Sequence, residues 1–300
     1  MKYLNLTEGF NPFNAQKREL INFESFFFSG GEPHIKLDIN SFHNEAHDVQ
    51  VSIRLKSMND LGLLLVATDA LRQCGYMKES YLFIPYFFGS RQDRRMVPGE
   101  PLTVRVIADI INELGYNLID SFDNHSDVST ALIDNGSSIN NHEFVKHCLN
   151  HVDTFFPITL ISPDSGANKK MKDLCMSLGD KLAFDLVKCD KSRNVTTGEL
   201  KGFEVYADDL ENRDCFIIDD ICDGGGTFIG LAEELKKKNA GDLYLIISHG
   251  IFSKGFKELS KHFKKIFTTD SWNSDIALEV PENEKHSEIV KIIKFNEFLV

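Results

Sequence analysis

Short apolar-rich runs alternate with stretches in which apolar residues return every three or four positions, and the alternation holds for most of the chain. Tyr81–Pro85, Leu118–Phe122, Ile158–Ser162, Cys215–Ile218 and Leu243–Ile247 have the length and texture of strands covered on both faces. Between them the spacing predicts helices. Leu61, Leu64, Leu65 and Leu71 repeat within 59–74, and Ile107, Ile110, Ile111 and Leu114 within 102–114. Met171, Leu174, Cys175 and Leu178 mark a third helix, and Phe228, Leu231, Ala232 and Leu235 a fourth over 227–240. Gly115 stands where a left-handed residue would stop the second helix. Strand–loop–helix alternation predicts an α/β protein of doubly wound parallel sheets. The polar stretch 134–141, or the helix after it, divides the chain into expected domains 1–142 and 143–300. The two share a rhythm but no repeat by identity, and residues 1–25 yield no reading.

Composition agrees. At ~150 residues per domain, 300 residues give two domains. An apolar fraction of 42% and a mean hydropathy of −0.21 suffice for buried cores and exclude disordered, collagen-like or disulfide-stapled classes. The net charge of −12 argues against a nucleic-acid partner, so an anionic small ligand would need local Lys, Arg or a metal ion. Six cysteines without a C-x-x-C pair read as reduced core residues of a cytoplasmic protein. The first residues carry no apolar run of signal length, and the greasiest run, 61–67, is too short to span a bilayer. No membrane partner is expected.

In doubly wound folds ligands sit at the carboxyl ends of the strands. The most informative such loop follows Cys215–Ile218. Asp219 and Asp220 end the strand, and Asp223-Gly224-Gly225-Gly226-Thr227 opens the next helix. Glycines let backbone N–H groups wrap an anion, the helix N-terminus adds a favourable dipole, and adjacent carboxylates suit ribose hydroxyls or Mg²⁺. Alternatively, this is a glycine-rich turn with an acidic helix start. Arg91, Gln92, Asp93, Arg94 and Arg95 form a basic loop after an apolar strand, suited to phosphate or merely solvated. Lys191 and Arg193, in the polar segment 189–194 with Thr196-Thr-Gly198 beyond, read as a loop able to bring two cations onto a reacting group, or as a charged hairpin.

The glycine loop resembles the ribose-diphosphate loop of the type I phosphoribosyltransferase fold. Other segments narrow the resemblance. Residues 84–95, Phe28-Ser-Gly-Gly-Glu32, Asn59-Asp60 with Thr68-Asp-Ala-Leu-Arg72, Ile161-Ser-Pro-Asp164, Lys191-Ser-Arg193, His249-Gly-Ile-Phe-Ser253 and Thr269-Asp-Ser271 fall in the order seen in ribose-phosphate pyrophosphokinases. The resemblance runs from about residue 28 to 271.

It implies transfer of the β,γ-diphosphoryl group of Mg-ATP to the anomeric hydroxyl of ribose 5-phosphate, with release of AMP. Such transfer is dominated by positioning and charge neutralisation. By resemblance, Phe28, Gly30, Glu32, Arg91, Gln92 and Asp93 bind ATP. Lys191, Arg193 and Arg91 are catalytic. His125, Asp164, Asp219 and Asp220 hold Mg²⁺. Asp219, Asp220, Asp223, Gly224, Gly225, Gly226 and Thr227 hold the ribose phosphate. Phe28 also has a plain reading as core, following Phe26 and Phe27.

Three departures matter. The family usually has Asp-Thr-Ala-Gly-Thr where this chain has Asp223-Gly-Gly-Gly-Thr227, which removes a hydroxyl donor and a methyl and opens space. Some phage relatives are understood to load ADP-ribose, for NAD restoration, and the open loop makes ADP-ribose the alternative acceptor. Ser126-Asp-Val-Ser-Thr-Ala131 replaces a segment tied to allostery and subunit contacts. The loop 96–100 is short and the chain stops at residue 300; these departures weigh against hexamer assembly, so within the expected homo-oligomer, dimer or hexamer, a dimer is at least as plausible. A phosphoribosyltransferase or a non-catalytic subunit are the remaining alternatives.

Overall fold

The computed structural model describes residues 1–155, 157–179, 182–193, 200–274 and 289–299. The chain forms two compact units, one of Met1–Asn140 with the segment from Phe295 on, the other of Asn141–Lys294.

The first unit is built on strands β1 (Lys2–Asn5), β2 (Phe23–Phe27), β3 (Pro33–Leu37), β4 (His47–Ser52), β5 (Met77–Ile84), β6 (Leu118–Phe122) and β7 (Gly136–Ile139). Five of them form a wholly parallel sheet in the order β1-β4-β5-β6-β7. Helices α1 (Met58–Gln73), α2 (Thr103–Asn112) and α3 (Asp127–Leu132) connect them. Val49, Val51, Leu82 and Ile84 are buried with Leu61, Leu64 and Leu71 of α1 and Val104, Ile107 and Ile111 of α2, as the apolar spacing predicts. Two motif residues prove to be structural. Ser57 caps α1, accepting from the Asp60 N–H while its hydroxyl donates to Asp60 Oδ2 at 2.8 Å. Thr68 donates to the Leu64 carbonyl and meets the Tyr116 hydroxyl at 2.7 Å. Gly115, at φ 58°, follows α2 as expected.

β2 and β3 form a separate antiparallel hairpin. β3 rests against α1 with Ile35 and Leu37 buried, while β2 is largely exposed. A Cβ at Gly62 of α1 would come 3.3 Å from the Pro33 ring, so the glycine permits this close approach.

The expected domain limits need one correction. Residues from 295 on belong to the first unit rather than the second. Phe295 is fully buried, its ring 6.2, 5.3 and 5.0 Å from those of Phe10, Phe83 and Phe122. Those edge-on contacts outweigh sequence proximity.

The second unit contains α4 (His142–Leu149), β8 (Ile158–Ser162), α5 (Asn168–Leu178), β9 (Phe184–Arg193), β10 (Leu200–Val205), β11 (Cys215–Cys222), α6 (Gly226–Lys237), β12 (Leu243–Gly250), β13 (Lys265–Thr269) and β14 (Val290–Ile293). The sheet order is β10-β9-β8-β11-β12-β13-β14, parallel except for β10 against β9. Every residue of β12 is buried, and Phe228, Leu231 and Leu235 of α6 pack on Ile217, Leu245 and Ile247.

Two local expectations change. The segment 189–193 is strand, which favours the charged-hairpin reading over the loop. β8 pairs with β9 only as far as Lys188, beyond which β9 continues as a two-stranded ribbon with β10. A ribbon with open faces tolerates polar residues, so it leaves no apolar period to read. Asn194 and Thr196–Gly198 lie outside the described residues. β11 runs on through Asp219 and Asp220, because Asp219 to Cys222 keep their pairing with β12. Cys148, Cys189, Cys215 and Cys222 are buried and all six cysteines are free, as the spacing implied. Among the described residues no helix is long and apolar enough to cross a membrane.

Candidate active site

In the second unit, chemistry collects where β8 and β11 end. β8 pairs β11 only from Cys215 to Ile217, so the next residues of β11 extend past their neighbour. Asp164, just beyond β8, is fixed by its own loop. Its Oδ1 accepts from the Ala167 N–H at 3.1 Å and its Oδ2 from Lys191 Nζ at 2.5 Å. The residue expected to hold a metal ion and the lysine expected to act in catalysis therefore touch. The Lys191 side chain is 18% exposed and that of Asp164 27%. At this partial burial the pair is better ordered than a surface ion pair.

Asp219 has its carboxyl pushed well above the usual carboxylate range. Loss of hydration is the main cause, followed by the charges of Asp220 and then Asp164 and a hydrogen bond from Asp220, with Lys191 opposing. Separately, the Asp220 N–H donates to Asp219 Oδ1 at 3.0 Å. Lys170, in the first turn of α5, stands 3.9 Å from Asp220 Oδ2. Three carboxyls thus face two ammonium groups. Among the described residues no three His, Cys, Asp or Glu side chains converge into a metal cage. Mg²⁺ uses one or two carboxylates plus substrate oxygens rather than a cage, so Asp219 and Asp220 fit it by donor type and by their surplus of negative charge.

The glycine loop follows. Gly225 is left-handed at φ 77° and stands at the N-terminus of α6, where no side chain caps the helix. A Cβ there would lie 3.1 Å from Leu259, so both backbone and space call for glycine. Gly226 faces open space. Gly224 does not, because the Lys254 stem lies over it at 3.3 Å from a would-be Cβ. The space expected from the missing threonine and methyl is therefore not open: Lys254 lies over Gly224 and Leu259 over Gly225, while Gly226 matches a glycine of the usual loop. Asp223 is tied to the turn after β12, with the Ser253 hydroxyl donating to its Oδ1 at 2.5 Å and the Ser253 N–H to its carbonyl at 3.1 Å.

The first unit carries the other residues. Gly89, at φ 85°, turns the chain after β5, and the Gln92 N–H donates to its carbonyl. Arg91 and Gln92 are exposed. Asp93 is held below the usual carboxylate range chiefly by the Arg94 hydrogen bond, against its partial burial, with help from the Ser126 hydroxyl and the charges of Arg94 and His125. The structure therefore brings the loop after β5 beside the loop after β6, where His125 is exposed. Arg94 is paired with Asp93 at 3.0 Å, the solvated reading of that residue.

Phe28 is not core. It is 53% exposed at the hairpin turn, its ring 4.9 Å from Phe26 and 5.9 Å from His34. The turn closes through the Phe28 N–H to the Glu32 carbonyl, and the Glu32 carboxylate folds over Gly30. Arg193 lies on β9 opposite Leu200. Sequence reasoning missed Lys170 and Lys254. Lys254 follows directly on the His249–Ser253 motif, so only its position beside a motif could have flagged it.

Comparison with known proteins fits this geometry. Residues 135–281 match the Phosphoribosyl transferase domain family. A ribose-phosphate pyrophosphokinase of Ureaplasma parvum is 30% identical over 242 residues, 79% of this chain and 70% of the relative. One of Agrobacterium fabrum is 29% identical over 274 residues, 90% of this chain and 82% of the relative. The crystal structure of phosphoribosylpyrophosphate synthetase from Mycobacterium smegmatis aligns with 99% of this chain and 95% of its own, at a TM-score of 0.78 and 20% identity, which shows the shared type I phosphoribosyltransferase fold. With the motifs in order and identity at this level over most of both chains, the chain is a member of the ribose-phosphate pyrophosphokinase family of enzymes.

Proposed function

We propose that this chain transfers the β,γ-diphosphoryl group of Mg-ATP to the anomeric hydroxyl of ribose 5-phosphate, giving 5-phosphoribosyl 1-diphosphate and AMP. The observation that carries the reading is the cluster of Asp164, Lys191, Asp219 and Asp220 at the ends of β8 and β11, next to a glycine loop that opens an uncapped helix.

The hydroxyl oxygen forms a bond to the β-phosphorus as its proton passes to solvent, and the bond from that phosphorus to the oxygen bridging it to the α-phosphorus breaks, so AMP leaves with the bridging oxygen. The protein's part is to align these atoms and meet the charge that develops. Asp219 and Asp220 would hold Mg²⁺, which supplies charge neutralisation on the transferring group. The backbone amides of the glycine loop and the start of α6 receive the ribose phosphate. Lys191 already stands on Asp164 and can turn its ammonium to the transferring oxygens. In the first unit, Arg91 and Gln92 present exposed donors for phosphate, and the exposed Phe28 ring offers a face for adenine. By resemblance, His125 would contact a metal ion carried by ATP. The reading carries with it the expected cytoplasmic location and a homo-oligomer, dimer or hexamer.

Phe28→Ala is expected to raise the KM for ATP about tenfold or more, since base–aromatic stacking contributes about 1–3 kcal/mol. The Tm should not move, because the ring is exposed. A lowered Tm with unchanged KM would return Phe28 to a packing role.

ADP-ribose is the second acceptor for the same chemistry, because Gly224 stands where the usual loop carries a hydroxyl donor for a terminal phosphate. Release of AMP from Mg-ATP, measured with each acceptor at equal concentration, decides between them. Release with ribose 5-phosphate alone is the expected result. Release mainly with ADP-ribose would redirect the chemistry toward NAD restoration, and release with neither would mark a non-catalytic subunit.

A further inference from the structure

Between Asp223 and Thr227 the loop has three glycines and no side-chain donor. Gly225 needs its glycine for its left-handed backbone, but Gly224 has no positive φ. What lies over Gly224 is the stem of the exposed Lys254, which a methyl there would push aside by a few tenths of an ångström. A Cβ at residue 224 would meet Lys254 Cδ and Cε, each at 3.3 Å, tighter than ordinary van der Waals contact.

The lysine stem is placed by a rigid support. The Ile251 and Phe252 N–H groups both donate to the Cys222 carbonyl, at 2.9 and 3.1 Å. The next residue, Ser253, holds Asp223 through both its backbone and its hydroxyl. The turn after β12 is therefore bound to the loop after β11 along its length, and Lys254 is the next residue. Its stem brings the ammonium within one bond of the loop, the residue is exposed, and among the described residues no ion pair holds it.

We propose that Lys254 is an acceptor-binding residue that supplies a cation to the phosphoryl group on C5 of the acceptor ribose, and that Gly224 is glycine to let its stem cross the loop. The inference rests on the acceptor site of the preceding section. A mobile ammonium takes the place of a fixed hydroxyl. It contributes point charge rather than directional hydrogen bonding, so it serves a phosphomonoester or a phosphodiester at the same position.

Binding of ribose 5-phosphate and of ADP-ribose to the full chain, with kcat and KM for both substrates, tests this. Lys254→Met keeps the stem and removes the charge. It is expected to weaken binding of the acceptor that the wild type takes by about tenfold or more, with the KM for ATP unchanged and kcat at saturation within about threefold. Gly224→Ala should cause a comparable loss by displacing the stem, but no further loss in the Lys254→Met, Gly224→Ala double variant. Loss on ribose 5-phosphate alone assigns the monoester, and loss on ADP-ribose alone the diester. Acceptor binding unchanged in Lys254→Met, or full additivity in the cycle, overturns the role of Lys254 while leaving the function intact. A wild-type chain that binds neither acceptor overturns the proposed function, and this inference with it.

Discussion

Lys191→Ala is expected to lower kcat by about 10²–10³-fold while changing the affinity for ATP and for the sugar by no more than about threefold. The reason is where the charge is needed. In the unliganded chain the ammonium is spent on Asp164, at 2.5 Å, in a partly desolvated position. As the diphosphoryl group moves, negative charge grows on its oxygens, and a cation already nearby stabilises that state more than either ground state. Lys191→Arg should recover only part of the rate, because a bulkier planar fork cannot take the place of a compact ammonium. Single-turnover AMP release beside equilibrium binding separates the two effects. If Lys191 served only to fix the Asp164 loop, the variant would show a lower Tm and weaker binding at nearly unchanged kcat, and that result would remove it from the chemistry.

Asp219→Asn should make the metal-free protein more stable and the enzyme inactive. Asp219's folded pKa is raised by burial and by its two acidic neighbours. Above the unfolded carboxylate pKa of about 3.9, the folded state must therefore either hold a proton or bear an uncompensated charge. This penalty on folding is absent below that pKa, grows as pH rises toward the folded value, and then stays constant. Asparagine removes it. The metal-free Tm near neutral pH is expected to rise by about 2–4 °C for each kcal/mol relieved, with the gain vanishing at about pH 4. Added Mg²⁺ should then stabilise the parent chain and not the variant, and AMP release should fall by at least about 10²-fold. Thermal melts from about pH 4 to 8, with and without Mg²⁺, check both halves. Equal Mg²⁺ responses in the two proteins would take Asp219 out of the metal site.

The parts of this molecule that were legible in the sequence are those where a buried face forces a period. β6 and β8 fall on Leu118–Phe122 and Ile158–Ser162 as the apolar runs indicate, and α1, α2 and α6 start and stop within a few residues of their predicted limits. Where burial relaxes, the period fades. The ribbon of β9 and β10 is polar because beyond Lys188 it has no third strand beside it, so its residues read as loop. Phe28 misleads in the opposite sense, since three consecutive phenylalanines look like core but lie on an exposed hairpin. In the site, glycine and acid order identified the loop after β11, because those residue types carry their reason with them. The bond between Lys191 and Asp164 joins residues 27 apart and left no local mark. Nor did the stem of Lys254 over Gly224, which joins two turns from neighbouring parallel strands.

The return of Phe295 to the first unit bears on how the polypeptide is made. In order of connection the second unit is an insertion, since the first begins at Met1, breaks off at Asn140 and resumes at Phe295. On a ribosome the inserted unit has left the exit tunnel almost entirely before the aromatic cluster of Phe10, Phe83 and Phe122 receives its last ring. That closing contact spans nearly the whole chain, and contacts so distant in sequence form late. Newly made protein would thus hold a finished second unit while the first still waits, with apolar rings uncovered, for Phe295 to emerge.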